Sequence, residues 1–277
     1  MSAKRPRKQP TGVYIAILFF SVMIFLAVIV PFFPSLDPNQ FNPDVSPEAM
    51  PPSLDHPFGT DDLGRDVLLR AIFGARISLA VGFVSVGIAL IVGAALGFLT
   101  GYFGGRFDNV MMRIVDVMMS IPTIFLILIL QSSFKPSILN VMLVIGFTSW
   151  MGITRLVRAE VMSLKERPFI LAVKARGFGS LTILRHIIPH TINPILVTAT
   201  LGIGNAIMSE SVLSFLGMGV QPPNASWGNM LENSLSFMFD APWMAIIPGL
   251  LITLTVLALN YIGDTLRSRL NRSEHHA

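Results

Sequence analysis

Residues 166–189, ERPFILAVKARGFGSLTILRHIIP, form a charged interruption between two long apolar runs. The stretch opens with small and apolar residues at helical spacing, breaks at Gly177 and Gly179, resumes as a second short helix and stops at Pro189. Phe169, Ala172, Val173 and Arg176 fall at i, i+3, i+4 and i+7, the pattern of a helix packed on one face. Leu181, Leu184, Ile187 and Ile188 continue that helical pattern after Gly179. Lys165, Arg167, Lys174, Arg176 and Arg185 fringe the apolar face with positive charge. Two short helices hinged on glycine are more than a connection between spans requires. They read as a docking element for another protein. The competing reading is an amphipathic loop lying on anionic headgroups.

The rest of the chain is built for lipid. Hydrophobic residues make up 52% and charged residues 13%, against roughly 25% charged in a soluble domain. Six runs are long and apolar enough to span about 30 Å of hydrocarbon: 12–33, 77–103, 111–131, 137–157, 191–215 and 243–264. The third carries Arg113, Asp116 and Pro122 and has the weakest hydropathy signal. The first follows a basic tail, residues 1–11, but is longer than a signal-peptide core and lacks a small-x-small cleavage site, so it reads as an anchor.

Lysine and arginine set the orientation. Of the 20 basic residues, all but Arg65, Arg70, Arg76 and Lys135 fall on one side. That side is the cytoplasm by the positive-inside rule, with both termini and the 166–189 loop on it. The pI of about 9.8 therefore reflects topology rather than a nucleic-acid partner.

Five regions follow: a cytoplasmic tail (1–11), a first span (12–33), an extracytoplasmic linker and interfacial helix (34–76), a five-helix core (77–264) and a second cytoplasmic tail (265–277). The linker is proline-rich and reads as extended. Asp61 and Asp62 are placed to cap an amphipathic helix feeding the second span. Gly82, Gly87, Gly93, Gly97 and Gly101 in that span, and Gly202 and Gly204 in the fifth, predict close helix packing in lipid.

Catalytic chemistry finds no foothold. The five lysines are followed by Arg5, Gln9, Pro136, Glu166 and Ala175, so none closes the P-loop G-x-x-x-x-G-K-[ST], and ATP-driven work has to come from a partner. With no cysteine there is no thiolate metal site or thiol nucleophile. His186 and His190, four apart, would suit a metal pair, but no carboxylate joins them; they read as polar caps at the membrane surface. His275 and His276 end a polar tail. Arg113 with Asp116, and Asp264 with Arg267, read as boundary ion pairs. Glu210 has no evident local partner, which points it toward a wet cavity or a partner subunit.

Five stretches carry a resemblance: 56–79 (HPFGTDDLGRDVLLRAIFGARISL), 101–122 (GYFGGRFDNVMMRIVDVMMSIP), the W-x4-R-x2-R string from Trp150 to Arg158, 214–231 (SFLGMGVQPPNASWGNML) and 242–267 (PW…PGL…VLALNYIGDTLR). With the 166–189 loop, they resemble the shorter of the two permeases in the dipeptide, oligopeptide and nickel class of ABC importers. The loop resembles their cytoplasmic EAA segment. It departs in reading Leu171-Ala172-Val173 with Gly177 in register, in spanning one residue fewer from Gly177 to Pro189, and in a less acidic chain end. The resemblance implies an all-α, six-helix, type I importer permease fold (MetI-like) in a bacterial or archaeal cytoplasmic membrane. It implies a second homologous permease, two ATP-binding subunits that hold the ATP and magnesium, and an extracytoplasmic binding protein. Glu166, Phe169, Ala172, Val173, Ala175, Arg176, Gly177, Phe178 and Gly179 become the ATPase-docking residues. Asp116, Met119 and Glu210 become candidates for pore or partner contact. Peptide is the substrate favoured, with nickel or another small solute as the alternative; a self-contained secondary transporter would need paired broken helices and an inverted repeat, neither of which the sequence displays.

Overall fold

The computed structural model describes residues 12–33, 35–40 and 49–274. The tail 1–11, part of the proline-rich linker, and His275 and His276 lie outside the described residues. Helix dominates, and an isolated bridge between Thr60 and Asp66 is the only β-pairing among the described residues. In chain order the helices are α1 (Gly12–Ile29, extended by a 3-10 turn Val30–Phe32), α2 (Val67–Phe103), α3 (Gly105–Met119), α4 (Thr123–Ser132), α5 (Ile138–Lys165), α6 (Pro168–Ala175), α7 (Ser180–Phe215), α8 (Trp227–Ser234) and α9 (Trp243–Glu274).

Five of these are long and apolar enough to cross a membrane: α1, α2, α5, α7 and α9. The expected third span is not one helix. Its place is taken by α3 and α4, which meet at 86° and count as a sixth span only if taken together. Pro122 supplies no amide to the ladder and pushes Ile121 out of helical geometry, while the Ser120 hydroxyl donates to the Val117 carbonyl exposed by the break.

Three boundaries also move. The expected interfacial helix is the start of α2, capped by Asp66, which accepts from the Leu69 amide at 2.8 Å. Asp61 instead closes a loop, accepting from the amides of Leu63 and Arg65 and pairing with the Arg65 and Arg70 guanidiniums. Pro189 does not end the second loop helix, because α7 passes through both Pro189 and Pro194. The hydroxyls of Thr191 and Thr198 donate to the carbonyls of Ile188 and Pro194 along this proline-bearing stretch. The last helix continues past 264 to Glu274.

The most extensive pairing is α2 against α5, and glycine makes it possible. A Cβ on Gly93, Gly97 or Gly101 would sit 2.7, 2.7 and 2.8 Å from the Cβ of Ile153, Val157 and Val161 respectively. The four-residue spacing on both helices sets three β-branched side chains directly on three glycines, so the backbones approach to contact. Thr154 seals the seam by donating to the Gly93 carbonyl at 3.2 Å. Gly82 plays the same part toward α7, against Ile203 and Ile207, whereas Gly87 faces open space. Peripheral α1 lies on α2 and α9 and leaves Tyr14, Leu18 and Phe25 exposed.

Candidate functional site

The loop read first in the sequence is a short helix held by one side and bare on the other. Ile170 is buried and Val173 half-buried, and both join a cluster with Val161 and Leu164 of α5 and Ile183 and Ile187 of α7. Glu166, Phe169, Ala172, Ala175, Arg176, Gly177, Phe178 and Gly179 are exposed. The packed face is thus Ile170 and Val173, not the expected Phe169–Ala172–Val173–Arg176 stripe. Five consecutive apolar residues over eight helical positions surround the axis, so spacing alone could not choose the face. The chain turns at Gly177, with φ +77°, in the left-handed region where a Cβ is strained. Among the described residues, its two chain neighbours aside, no atom lies within 4 Å of the position a Cβ would take there.

Behind this helix, the end of α5 is fastened to its neighbours by charge. Lys165 donates to the last carbonyls of α2, at 3.2 Å to Gly101 and 2.6 Å to Tyr102, the favoured place for a cation on a helix C-terminus. Arg158 makes a two-pronged pair with Asp108 of α3, 2.5 and 2.7 Å long, and Arg155 pairs with Asp116 one helical stretch further along. The expected Arg113–Asp116 pair is therefore replaced by a cross-helix one. Arg155 and Arg158 stand out in the sequence, but their acidic partners lie 39 and 50 residues away and carry no local signal. Asp116 and Met119 are both exposed on α3 beside the break.

Residues 93–275 match the family described as the binding-protein-dependent transport system inner membrane component. Among curated relatives, the dipeptide transport system permease protein DppC of Alkalihalophilus pseudofirmus is 41% identical over 93% of this chain and 84% of its own length. DppC of Haemophilus influenzae is 36% identical over 95% and 91%, and the oligopeptide transport system permease protein OppC of Bacillus subtilis 35% over 93% and 84%. The chain belongs to this family. It is a multi-pass inner-membrane permease component of an ABC importer. Its fold agrees with an inward-facing structure of the MetNI methionine ABC transporter, with TM-score 0.56 and 21% identity, covering 73% of the permease and 96% of that chain.

At the end of the permease away from α6, Glu210 is fully buried within the chain. Ser214, one turn on, donates to one carboxylate oxygen at 2.7 Å, and Ser78 of α2 to the other at 3.1 Å. Each serine in turn accepts a backbone amide of the loop that follows α7: Val220 on Ser214 and Trp227 on Ser78. The Trp227 indole closes the assembly by donating to the Ala71 carbonyl at 2.9 Å. One carboxylate thereby ties α2, α7 and the entry to α8. Its local partner was within reach of the sequence, four residues on, but serine beside glutamate is too common a pairing to be a signal. Replacing Glu210 with Ala strands two buried hydroxyls and should cost roughly 2–4 kcal/mol. The expected result is a lower melting temperature in detergent and early proteolysis within 216–226, with Glu210→Gln intermediate; unchanged melting of Glu210→Ala would refute the hub.

The same end of the permease is closed by the linker. Arg70, buried, reaches the Pro38 carbonyl and the Asn39 side chain as well as Asp61, and Met50 exchanges hydrogen bonds with Thr60. These contacts hold Pro38, Asn39 and Met50, while residues 51–55 are exposed. Burial, then the neighbouring Asp61 charge, push the Asp62 carboxyl above the usual carboxylate range. His186 donates from Nδ1 to the Thr182 carbonyl at 2.7 Å and His190 lies against the Phe169 ring, so the two face different neighbours. No ion pair joins Asp264 and Arg267 among the described residues.

Proposed function

We propose that this permease forms half of the translocation pathway of an ATP-driven importer for di- or oligopeptides, beside a second homologous permease. An extracytoplasmic binding protein delivers the substrate. Two partner subunits bind ATP and magnesium, and this chain binds neither. The peptide substrate rests on the names of the relatives, which match along nearly the whole chain.

The observation that carries the mechanism is the one-sided anchoring of α6. Its bare face, with Phe169, Ala172, Ala175 and Arg176, is free to seat in an ATPase cleft, while Ile170 and Val173 pass any displacement to α5 and α7. From α5 the two ion pairs carry the movement into α3, whose junction with α4 is already bent. Ion pairs between helices shift as units more readily than a packed seam stretches. The α3–α4 break, with Asp116 and Met119 beside it, is thus the moving wall of the pathway, and the glycine-packed α2–α5 seam is the fixed frame.

The orientation belongs to the same reading. The strong excess of lysine and arginine on the α6 side supports a cytoplasmic position for that loop and both termini. One experiment tests the whole. The chain has no cysteine, so a cysteine placed at position 179 reports accessibility cleanly. Only after membranes are opened should it react with an impermeant thiol reagent, and bound ATPase subunits should protect it. The complex should hydrolyse ATP and take up dipeptide, and the isolated chain should not hydrolyse ATP. Labelling from outside intact cells sinks the orientation; protection without peptide uptake sinks the substrate.

A further inference from the structure

Between α1 and α2 runs a groove of about 410 Å³, walled by Ile24, Ala27, Leu79, Ala80 and Phe83 and ending at Phe32, with a single charged residue, Arg76, in its lining. Arg76 is exposed. Among the described residues nothing pairs with it, whereas the neighbouring Arg65 and Arg70 are both held by Asp61. Its depth follows from the register of the two helices. The rings of Phe20 and Phe83 approach to 6.3 Å, which aligns the antiparallel pair. Arg76 then lies about 10 Å from Phe83 toward the end of α1. Side chains tilt toward the N-terminus of their own helix, and the N-terminus of α2 is at this same end. The guanidinium therefore rises toward the level of Pro31 and Phe32, where the apolar stretch of α1 stops. A cation with no partner among the described residues stands at the boundary of hydrocarbon and headgroups, above an apolar slot that descends into the hydrocarbon.

We infer that this groove is a phospholipid site, with the lipid phosphate on Arg76 and one acyl chain lying between α1 and α2. The occupant is a lipid rather than a protein helix because the groove opens beside the face of α1 that bares Leu18, Phe25 and Phe32, and because its only polar demand is one anion at phosphate depth. A single guanidinium recognises a phosphodiester and does not choose the headgroup. The bound chain fills the gap between peripheral α1 and the core. The site is independent of the transported substrate, and with the orientation proposed above it lies in the outer leaflet.

The test is native mass spectrometry of the full-length permease, purified with the subunits that accompany it, delipidated, and titrated with dioleoylphosphatidylglycerol, dioleoylphosphatidylethanolamine or dioleoylglycerol. One copy of either phospholipid should bind about tenfold more tightly than dioleoylglycerol, which lacks the phosphate. Arg76→Gln should lower both phospholipids to the level of dioleoylglycerol, and Arg76→Lys should retain them. Ala80→Trp should fill the slot and abolish binding of all three lipids. Arg76 is exposed, so its variants fold. Equal binding by wild type and Arg76→Gln, or by dioleoylglycerol and the phospholipids, would overturn the site. So would a high-yield disulfide from Ala80→Cys to a second permease chain, which would put a protein helix in the groove.

Discussion

Gly177→Glu should abolish substrate uptake while leaving the permease inserted, folded and assembled with its sister subunit. Two costs combine at this position. The backbone sits at φ +77°, where any L side chain loses about 1–2 kcal/mol relative to glycine. The added carboxylate also stands at the turn that ends the face proposed to enter the ATPase cleft, where one misplaced group can remove a dominant share of binding. Together they should weaken docking roughly a hundredfold. Since no described residue beyond the chain neighbours lies within 4 Å of the missing Cβ, the variant has no clash there to unfold it. A graded series separates the two costs. Gly177→Asn, which tolerates left-handed geometry, should retain most uptake, Gly177→Ala should lose part of it through strain alone, and Gly177→Glu should lose all. Pull-down of the ATPase subunits and peptide uptake at matched expression measure this. Normal docking by Gly177→Glu would remove α6 from the coupling path.

Gly97→Leu should fail one step earlier, at the fold. Its Cβ would lie 2.7 Å from the Cβ of Val157 and 2.9 Å from the Thr154 carbonyl, contacts that neither a rotamer change nor a flexible tip can relieve. Rigid β-branched packing and backbone line the far side, so α2 and α5 have to separate. Separation strips the contacts at Gly93 and Gly101 along with the Thr154 hydrogen bond. The cost should be about 3 kcal/mol or more, the upper range for overpacking. Little monodisperse protein should survive extraction, and what survives should melt early. Gly97→Ala should show a smaller loss in the same direction. At Gly87 on the same helix a Cβ meets no described residue within 4 Å, so Gly87→Leu should leave yield and melting unchanged. If Gly87→Leu and Gly97→Leu behave alike, the cost is helix propensity or insertion, not the seam.

These two glycines mark how differently the sequence speaks about loop and core. Gly177 was legible because it breaks a helical pattern, and its neighbours announce a turn. The small residues of α2 announced close packing as a class. Which of them packs, and on what, depended on the rotation of the helix: Gly93, Gly97 and Gly101 face α5, Gly82 faces α7 and Gly87 faces neither. Rotation is set by partners far away in sequence, so periodicity within one helix cannot supply it.

The sequence by itself determined the membrane class, the approximate spans, the family and the position of the exposed loop. The class, the spans and the loop depend on the hydropathy, charge or backbone preference of residues adjacent along the chain, and the family on the resemblance of its motif strings. The tertiary structure alone decided the anchoring of α6 through Ile170, the pairing of Asp116 with Arg155, and the burial of Glu210 among serines. In each case the deciding term is the choice of partner across helices. In lipid, where every apolar face is equally solvated, that choice falls to close packing and to the satisfaction of buried polar groups, and both are properties of the assembled bundle.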